Sequence, residues 1–296
     1  MPDLRHPLSM EGWLAAVRAH FVETAPDLLP LFHTYAEEAA FGRRYIAIDL
    51  ERLLPGARVL EVGAGSMLLS CQLAREGFAV TGLEPTGFGF AHFDRMRELI
   101  LDCAKTQGCL PDILDSTAEA LTLAGCFDYA FSVNVMEHVG DVELSLASVG
   151  RSLKPGATYR FTCPNYLFPY EPHFNIPTFF SKQLTERLLH QKIHAHAMPD
   201  PSGLWKSLNW ISVPGIRRMA KRMSGLKVTF NTAFFVSTLA RVASDPDFAE
   251  RRSPLTRNVI LLLVKFHLHQ LFRFVPAVMQ PVIDCKVEKI PLSEKQ

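Results

Sequence analysis

The chain has 296 residues and a mass of 33.2 kDa, which suffices for one large α/β domain with a substrate-binding extension. Its 31 Lys and Arg residues balance 30 Asp and Glu residues, so the net charge of +1 gives no global attraction to nucleic acid. Six cysteines without a CxxC pair exclude a disulfide scaffold and a zinc finger, and they indicate reduced thiols.

The N-terminal part of the chain is predicted to be a helical cap over residues 1–53. Trp13, Val17 and Phe21 follow one another at helical spacing, and Pro26 and Pro30 are expected to break the helix. Charged residues in the first eleven positions (Arg5, His6 and Glu11) interrupt the apolar run that a secretion signal needs. We therefore expect a cytoplasmic protein.

The first βαβ unit begins after this cap. A strand over 58–62 ends in Gly63-Ala64-Gly65, and a helix follows from Leu68 to a stop at Gly77. A second strand over 78–83 ends at Glu84, and Pro85-Thr86-Gly87 lead into a helix through Met96 and Leu99. This order is a strand, a glycine turn, a helix and a second strand.

Three further strands are predicted at 113–114, 127–133 and 158–162, with a helix closing near 149–153 and a turn at Lys154-Pro155-Gly156. Five strands that alternate with helices predict an α/β fold with a doubly wound, Rossmann-like and mostly parallel sheet. Residues 54–165 would then form the core of the fold.

Beyond residue 165 the alternation stops. Residues 166–225 are predicted to be a substrate-binding insertion, because they contain prolines and aromatics without a clean βα pattern. The α/β pattern resumes over 226–296 with a strand at 227–230, helices at 233–244 and 255–275, and a last strand at 282–287.

Two acids give the glycine turn its chemistry. Glu61 lies at the end of the first strand, and Glu84 follows the turn by about 20 residues, where an acid can bind two ribose hydroxyls. Leu68 stands at the third glycine position of a dinucleotide fingerprint, and Glu61 would repel a diphosphate. The pattern favours a cationic nucleoside over NAD.

The motif Val59-Leu60-Glu61-Val62-Gly63-Ala64-Gly65 resembles motif I of the class I S-adenosylmethionine-dependent methyltransferases. The resemblance covers roughly residues 57–165 and continues, in the family's order, through four later landmarks: Glu84, residues 116–121, the block Phe127-Asp128-Tyr129 with Val135-Met136-Glu137-His138-Val139, and Leu153-Lys154-Pro155-Gly156. It implies a seven-stranded methyltransferase sheet and S-adenosylmethionine as cofactor.

The resemblance implies a set of cofactor-binding residues: Glu61, Gly63, Ala64, Gly65, Glu84, Pro85, Thr117, Ala118 and Asn134. Two positions depart from the family pattern. Met67 stands where many members have a glycine, and Thr117 stands where many have an adenine-binding aspartate. The ubiquinone-pathway O-methyltransferases are similar at that threonine. The alternatives are a methyltransferase-like binding module, which Met67 would favour, and an NAD-dependent oxidoreductase.

The implied reaction is an in-line attack on the sulfonium methyl by an oxygen, nitrogen or carbon nucleophile, and an O–H or N–H acceptor can require a base. His173 is the first candidate, with Glu171 orienting it, and His138 is the second; the alternative is that they have structural roles. Four neighbours are predicted to bind the acceptor: Tyr166, Tyr170, Asn175 and Trp205.

No metal site is predicted, because His190, His194 and His196 have the spacing of one helix face but no evident acidic partner. Residues 254–276 form an amphipathic, basic segment that either packs on the core or lies on the inner face of a membrane. The acceptor is expected to be a small molecule that is quinone-like, a glycan or lipid-linked, and no nucleic-acid partner is expected.

Overall fold

A computed structural model describes residues 8–85, 92–198, 200–250 and 252–291. Arg5, His6, Thr86 and Gly87, on which the sequence analysis drew, lie outside these residues. The described chain divides into two compact units: unit 1 comprises the described residues within 1–133, 144–159 and 289–296, and unit 2 comprises those within 134–143 and 160–288.

The strands form a seven-stranded sheet in the order β3-β2-β1-β4-β5-β9-β8. Their bounds are β1 Arg58–Val62, β2 Ala79–Leu83, β3 Asp112–Leu114, β4 Phe127–Val133, β5 Leu153–Pro164, β8 Leu226–Phe230 and β9 Val282–Lys289. β1 pairs in parallel with β2 and β4, and β2 pairs in parallel with β3. This sheet confirms the predicted doubly wound, mostly parallel fold.

Unit 1 surrounds its strands with five helices: α1 Met10–Thr24, α2 Leu29–Leu50, α3 Leu68–Arg75, α4 His92–Thr106 and α5 Val142–Ser152, of which α5 begins in unit 2. Ser9 caps α1, since its hydroxyl accepts from the Gly12 amide at 3.0 Å. The buried stripe of α1 recurs at helical spacing, and Trp13 donates from Nε1 to the Leu68 carbonyl at 2.9 Å. The predicted helical cap therefore packs on the start of α3.

The helix break in the cap lies where a short 3₁₀ helix, Pro26–Leu28, separates α1 from α2. Pro30, which the sequence analysis took as a second break, lies in the first turn of α2, where proline is tolerated because its missing amide has no helical acceptor. Farther along α2, a Cβ on Gly42 would lie 2.8 Å from Leu69 Cδ2. Glycine at this position allows α2 to approach α3 closely.

Unit 2 contains a two-stranded antiparallel hairpin of β6 Tyr170–Glu171 and β7 Ile176–Pro177. Its helices are α6 Lys182–His194, α7 Pro201–Ser207, α8 Val213–Ala220, α9 Ala233–Ser244, α10 Pro246–Glu250 and α11 Pro254–Lys265, with 3₁₀ helices at Leu268–Phe274 and Ala277–Met279. Arg160 and Asp284 form a buried ion pair at 2.7 Å between β5 and β9. Asn165 then fixes the chain after β5 by donating to the Gln280 carbonyl at 2.8 Å.

Two boundary predictions were wrong. The expected turn at residues 154–156 lies inside β5, where Gly156 has a φ of 80° and marks a local irregularity within the strand. The expected helix over 255–275 is interrupted at His267, whose φ of 57° ends α11 before the 3₁₀ helix begins. No helix among the described residues has the length and apolar character that a membrane span requires.

Candidate functional site

The turn after β1 is built on positive φ angles. Gly63 has a φ of 72° and Gly65 one of 49°, in the left-handed region that glycine enters without steric cost. The amides of Gly63 and Ala64 both donate to the Leu83 carbonyl, at 2.8 and 3.2 Å. These bonds fasten the turn to the end of β2, which carries the second predicted acid.

Glu84 contacts this turn directly. Its Oε2 accepts from the Gly65 amide at 2.9 Å, and its own amide donates to the Leu114 carbonyl at 3.1 Å. Burial raises the pKa of the Glu84 carboxyl, and the bond from Gly65 opposes that rise. Glu84, which the sequence analysis assigned to two ribose hydroxyls, therefore contacts Gly65, the second glycine of the turn.

Glu61 is buried at the end of β1. Its carboxyl accepts from the Ser70 hydroxyl at 2.5 Å. The pKa of Glu61 is raised to about 8, chiefly by burial; the bond from Ser70 opposes this rise, and the charge of Glu84 adds to it. A cation placed next to this buried carboxyl would stabilise its ionised form.

Met67 turns its side chain into the core. It has a φ of 66° and is fully buried. A Cβ placed on Gly82, in the neighbouring strand β2, would lie 2.6 Å from the Met67 sulfur. The methionine therefore fills the space that Gly82 leaves beside the turn, and its presence gives no support to the binding-module alternative.

The predicted adenine segment is also ordered in unit 1. The amide of Ala120 donates to Thr117 Oγ1 at 3.3 Å and to the Thr117 carbonyl at 3.2 Å, which forms a short turn. Ala118 is buried and Pro85 is half-buried. The Ser148 hydroxyl, donating to the Glu119 carbonyl at 3.1 Å, holds this segment in place.

A histidine cluster lies in unit 2 and consists of Glu137, His138, Glu171 and His173. The rings of His138 and His173 have centroids 5.5 Å apart in an edge-on arrangement. His173 Nδ1 lies 2.6 Å from Glu171 Oε1. The two histidines that the sequence analysis treated as alternatives are therefore neighbours, and the acid predicted to orient His173 contacts it.

Glu171 is fully buried and receives three hydrogen bonds. Besides His173, Tyr166 donates its hydroxyl to Oε1 at 3.2 Å, and the Phe174 amide donates to Oε2 at 2.7 Å. Burial raises the pKa of Tyr166, so its hydroxyl stays a proton donor at neutral pH. Three donors around a buried carboxylate compensate for its desolvation and fix its position.

The contacts of His138 favour one tautomer. Its Nδ1 lies 2.9 Å from Ser207 Oγ, and the same oxygen lies 2.8 Å from the Leu204 carbonyl, which can only accept. When Ser207 donates to that carbonyl, His138 donates from Nδ1 and keeps a lone pair on Nε2. Burial and the neighbouring His173 lower the pKa of His138 to about 4, so the ring is neutral at pH 7.

Ser207 and Asn209 were missed by the sequence analysis. Asn209 donates from Nδ2 to the carbonyls of Met136 and Val139, at 2.8 and 2.9 Å, and its amide donates to the Glu137 carbonyl at 2.8 Å. The signal was weak, because Ser207 and Asn209 lie in a short mixed stretch, Lys206-Ser207-Leu208-Asn209, that matches no motif. Asn134, the predicted cofactor-binding residue directly after β4, has a φ of 54°, and its backbone amide donates to the Thr162 carbonyl at 2.9 Å.

The four predicted acceptor residues fall into two groups. Tyr166 and Trp205 are 1% and 2% exposed, and Tyr166 stacks on Trp210 with centroids 4.4 Å apart. Tyr170, in contrast, donates its hydroxyl to Asn175 Oδ1 at 2.7 Å in an exposed pair. The buried pair forms the aromatic core behind Glu171, and contact of all four with an acceptor stays a prediction.

Among the three histidines considered for metal binding, His190, His194 and His196, one has an acidic partner that the sequence analysis did not expect. His194 Nε2 lies 3.0 Å from Glu186 Oε1, and its Nδ1 lies 2.8 Å from Ser202 Oγ. The inference that no acid accompanies these histidines was wrong, because Glu186 lies eight residues earlier on α6. The rings of His190 and His194 are 4.4 Å apart.

Comparisons with known proteins agree with the resemblance found in the sequence. A family model described as a methyltransferase domain matches residues 35–228. The chain is 46% identical over 281 residues to the uncharacterized protein Rv1509 of Mycobacterium tuberculosis, with 95% of each chain covered. It is 37% identical over 110 residues to the ubiquinone biosynthesis O-methyltransferase of Rhizobium etli, which covers 36% of this chain and 40% of that protein. An S-adenosylmethionine-dependent methyltransferase from Mesorhizobium loti matches in structure with a TM-score of 0.49 and 16% identity, over 79% of this chain and 92% of that one.

Proposed function

The chain belongs to the class I S-adenosylmethionine-dependent methyltransferases, and from this premise we propose that it methylates a hydroxyl oxygen of a small amphipathic acceptor. The observation that carries the choice of oxygen is the 2.6 Å contact between His173 and the buried Glu171. A hydroxyl loses a proton when it is methylated, and an imidazole oriented by a carboxylate is suited to accept that proton.

The glycine turn fits the cofactor S-adenosylmethionine. The positive φ angles of Gly63 and Gly65 keep side chains away from the turn, and Glu84 supplies a carboxylate for the ribose hydroxyls. The buried carboxyl of Glu61 suits the positive charge of the ligand. Thr117 and Ala118 would hold the adenine.

The cofactor supplies an electrophilic methyl group, which makes alignment of the nucleophile the main task of the protein. In the proposed reaction Glu171 orients His173 through Nδ1, and His173 Nε2 accepts the proton of the acceptor hydroxyl. His138, neutral at pH 7, adds no positive charge that would hinder this transfer.

The acceptor class is proposed from three features. The histidine cluster is backed by the aromatic side chains of Tyr166, Phe174 and Trp205, which suits a ring or an apolar chain near the hydroxyl. A relative of part of the chain is named as a ubiquinone biosynthesis O-methyltransferase. The third is the exposed apolar surface of residues 254–274. A quinone-like or lipid-linked acceptor agrees with all three features better than a free glycan does.

Cofactor binding is expected to release protons. Because the pKa of Glu61 is about 8 in the free protein, the carboxyl is mostly protonated at pH 7, and a bound cation favours its ionised form. S-adenosylmethionine should therefore bind more tightly as the pH rises towards 8, with release of up to about one proton per ligand at pH 7. Calorimetric titration in two buffers of different ionisation enthalpy measures this number.

Glu61→Gln is the matched variant for this experiment. It keeps the shape of the side chain but cannot ionise, so the difference from the wild type isolates the proton released by Glu61 from any taken up or released by the ligand. Equal proton release by both proteins would show that Glu61 does not face the charge of the ligand. No binding by folded wild type would contradict the proposed function itself.

We also propose that residues 254–274 contact an anionic membrane surface. No residue of α11 is buried, and six large apolar side chains of this segment are more than half exposed: Leu255, Val259, Leu262, Phe266, Leu271 and Phe274. Lys265 lies 5.9 Å from the ring of Phe266, and Arg273 lies 5.2 Å from the ring of Phe274. Apolar side chains with adjacent basic groups are suited to the boundary between headgroups and acyl chains.

This surface predicts selective binding to vesicles. In a co-sedimentation assay the protein should bind vesicles that contain phosphatidylglycerol more tightly than neutral ones. Each of Lys265→Glu and Arg273→Glu should weaken binding roughly fivefold or more, because one basic group near such a surface contributes about 1 kcal/mol.

Leu262→Asp should also reduce vesicle binding, whereas Leu54→Asp, at a residue 79% exposed in unit 1, is the matched control and should not. Equal binding to neutral and anionic vesicles, or an equal loss in the control, would contradict the proposed surface.

A further inference from the structure

Three potential metal ligands converge within unit 2. Glu137, His138 and His173 each offer one ligand atom, and these atoms all lie within 4.8 Å of one another. The Glu137 carboxylate is buried, with one oxygen 4.0 Å from His138 Nε2. A group of two imidazoles and one carboxylate is a ligand set typical of divalent first-row metals.

The outer contacts of the two histidines engage Nδ1 of each ring. When His138 donates from Nδ1 to Ser207, its Nε2 carries a lone pair. His173 Nδ1 faces the carboxylate of Glu171, which accepts a hydrogen bond when it is ionised. Nε2 is therefore the atom of that ring that can bind a metal. Metal-binding histidines in proteins usually show this arrangement, in which the second nitrogen donates to a carboxylate, a carbonyl or another oxygen.

The ligands are also held rigidly. Asn209 binds three carbonyls of the segment from Met136 to Val139, which carries two of the ligands. Glu171 is fixed by Tyr166 and by the Phe174 amide as well as by His173. Such preorganisation lowers the cost of gathering the ligands around an ion.

We propose that Glu137, His138 and His173 bind a divalent first-row metal ion, with Zn²⁺ the favoured one. Three protein ligands leave at least one coordination position open for a water molecule or an acceptor oxygen. Metal binding goes beyond the proposed function, with which it shares His173, and it is tested without cofactor or acceptor. In the metal-bound protein His173 is a metal ligand, so it accepts a proton from the acceptor only in the metal-free protein.

The test is titration of the chelator-treated full chain with Co²⁺, followed by visible absorption, and with Zn²⁺, followed by calorimetry. The wild type should bind one ion with d–d bands of a nitrogen and oxygen site. His173→Ala and Glu137→Gln should each abolish this binding, and Ser207→Ala, which removes only an outer contact, should weaken it by about 10–100-fold.

His194→Ala is the matched control, because His194 also contacts a glutamate and a serine but lies outside the cluster. It should bind the ions like the wild type. Unchanged stoichiometry in His173→Ala and Glu137→Gln, or a near-ultraviolet thiolate band that shows cysteine ligation, would overturn the site. Since these titrations contain neither S-adenosylmethionine nor an acceptor, failure of the metal site leaves the cofactor-binding result intact.

Discussion

Replacing His173 with alanine is expected to lower the rate of methyl transfer by about 10²–10⁴-fold, the contribution usual for a positioned general base. The loss should appear in kcat, since the variant removes the group that receives the proton of the acceptor. Affinity for S-adenosylmethionine should stay near the wild-type value, because His173 is assigned to the acceptor. The measurement is S-adenosylhomocysteine formation with a lipid-soluble catechol as the acceptor, beside a calorimetric titration with the cofactor.

Glu171→Gln separates a positioning role from a structural one. If Glu171 acts through His173, this variant should lower kcat and move the pH profile, while thermal unfolding changes little. His190→Ala, a histidine outside the cluster, should leave kcat unchanged. A wild-type rate in His173→Ala would remove the imidazole from the mechanism, and loss of folding in Glu171→Gln alone would favour a structural role for the carboxylate.

Two central strands of the sheet could be predicted from local pattern alone. β1 and β4 have the predicted bounds, because each is a short apolar run that is buried on both faces of a parallel sheet and ends at a turn residue. The glycine turn could be predicted as well, since the chemistry of Gly63 and Gly65 is local. The role of Glu84 could be predicted from the rule that ligands bind at the carboxyl ends of parallel strands.

Of the histidine cluster, the pair of Glu171 and His173 could be predicted, whereas its contact with His138 could not. His138 and His173 are 35 positions apart, and Ser207, which favours one tautomer of His138, is 69 positions farther than His138 along the chain. No periodicity links such positions, because the irregular segment between β5 and β8 decides which of them meet. The end of α11 was missed for a related reason: His267 adopts a positive φ, which few residues other than glycine adopt and which no local pattern announces.

The side chain of Met67 shows how a departure from a family pattern can be absorbed by packing. From the sequence, a methionine in the glycine turn favoured the alternative of a methyltransferase-like binding module. In the structure its sulfur lies where a side chain on Gly82 would otherwise be, so two unusual residues in different elements complement each other. The two residues meet between the turn after β1 and strand β2, and reasoning from a single sequence does not reveal such a contact.

Replacing Glu84 with alanine is expected to weaken binding of S-adenosylmethionine by 10²–10⁴-fold, on the order of two charge-assisted hydrogen bonds at roughly 1.5–3 kcal/mol each. The physical reason is that Glu84 is the carboxylate at the end of β2 that the turn holds through the Gly65 amide. Calorimetric titration with S-adenosylmethionine and with S-adenosylhomocysteine measures the loss. Both ligands should lose affinity equally, since they share the ribose and differ at the sulfur.

Glu84→Gln and Glu98→Ala show whether this loss comes from the ribose or from the turn. Glutamine retains one oxygen that can accept from Gly65, so Glu84→Gln should keep the turn and lose only part of the affinity. Glu98, an exposed acid on α4, is the matched control and should bind like the wild type. Wild-type affinity in a folded Glu84→Ala protein would assign the carboxylate to the turn alone, and the ribose would then need another partner in unit 1. A loss confined to S-adenosylmethionine would instead place Glu84 near the sulfonium, where its charge and that of Glu61 act on the same group.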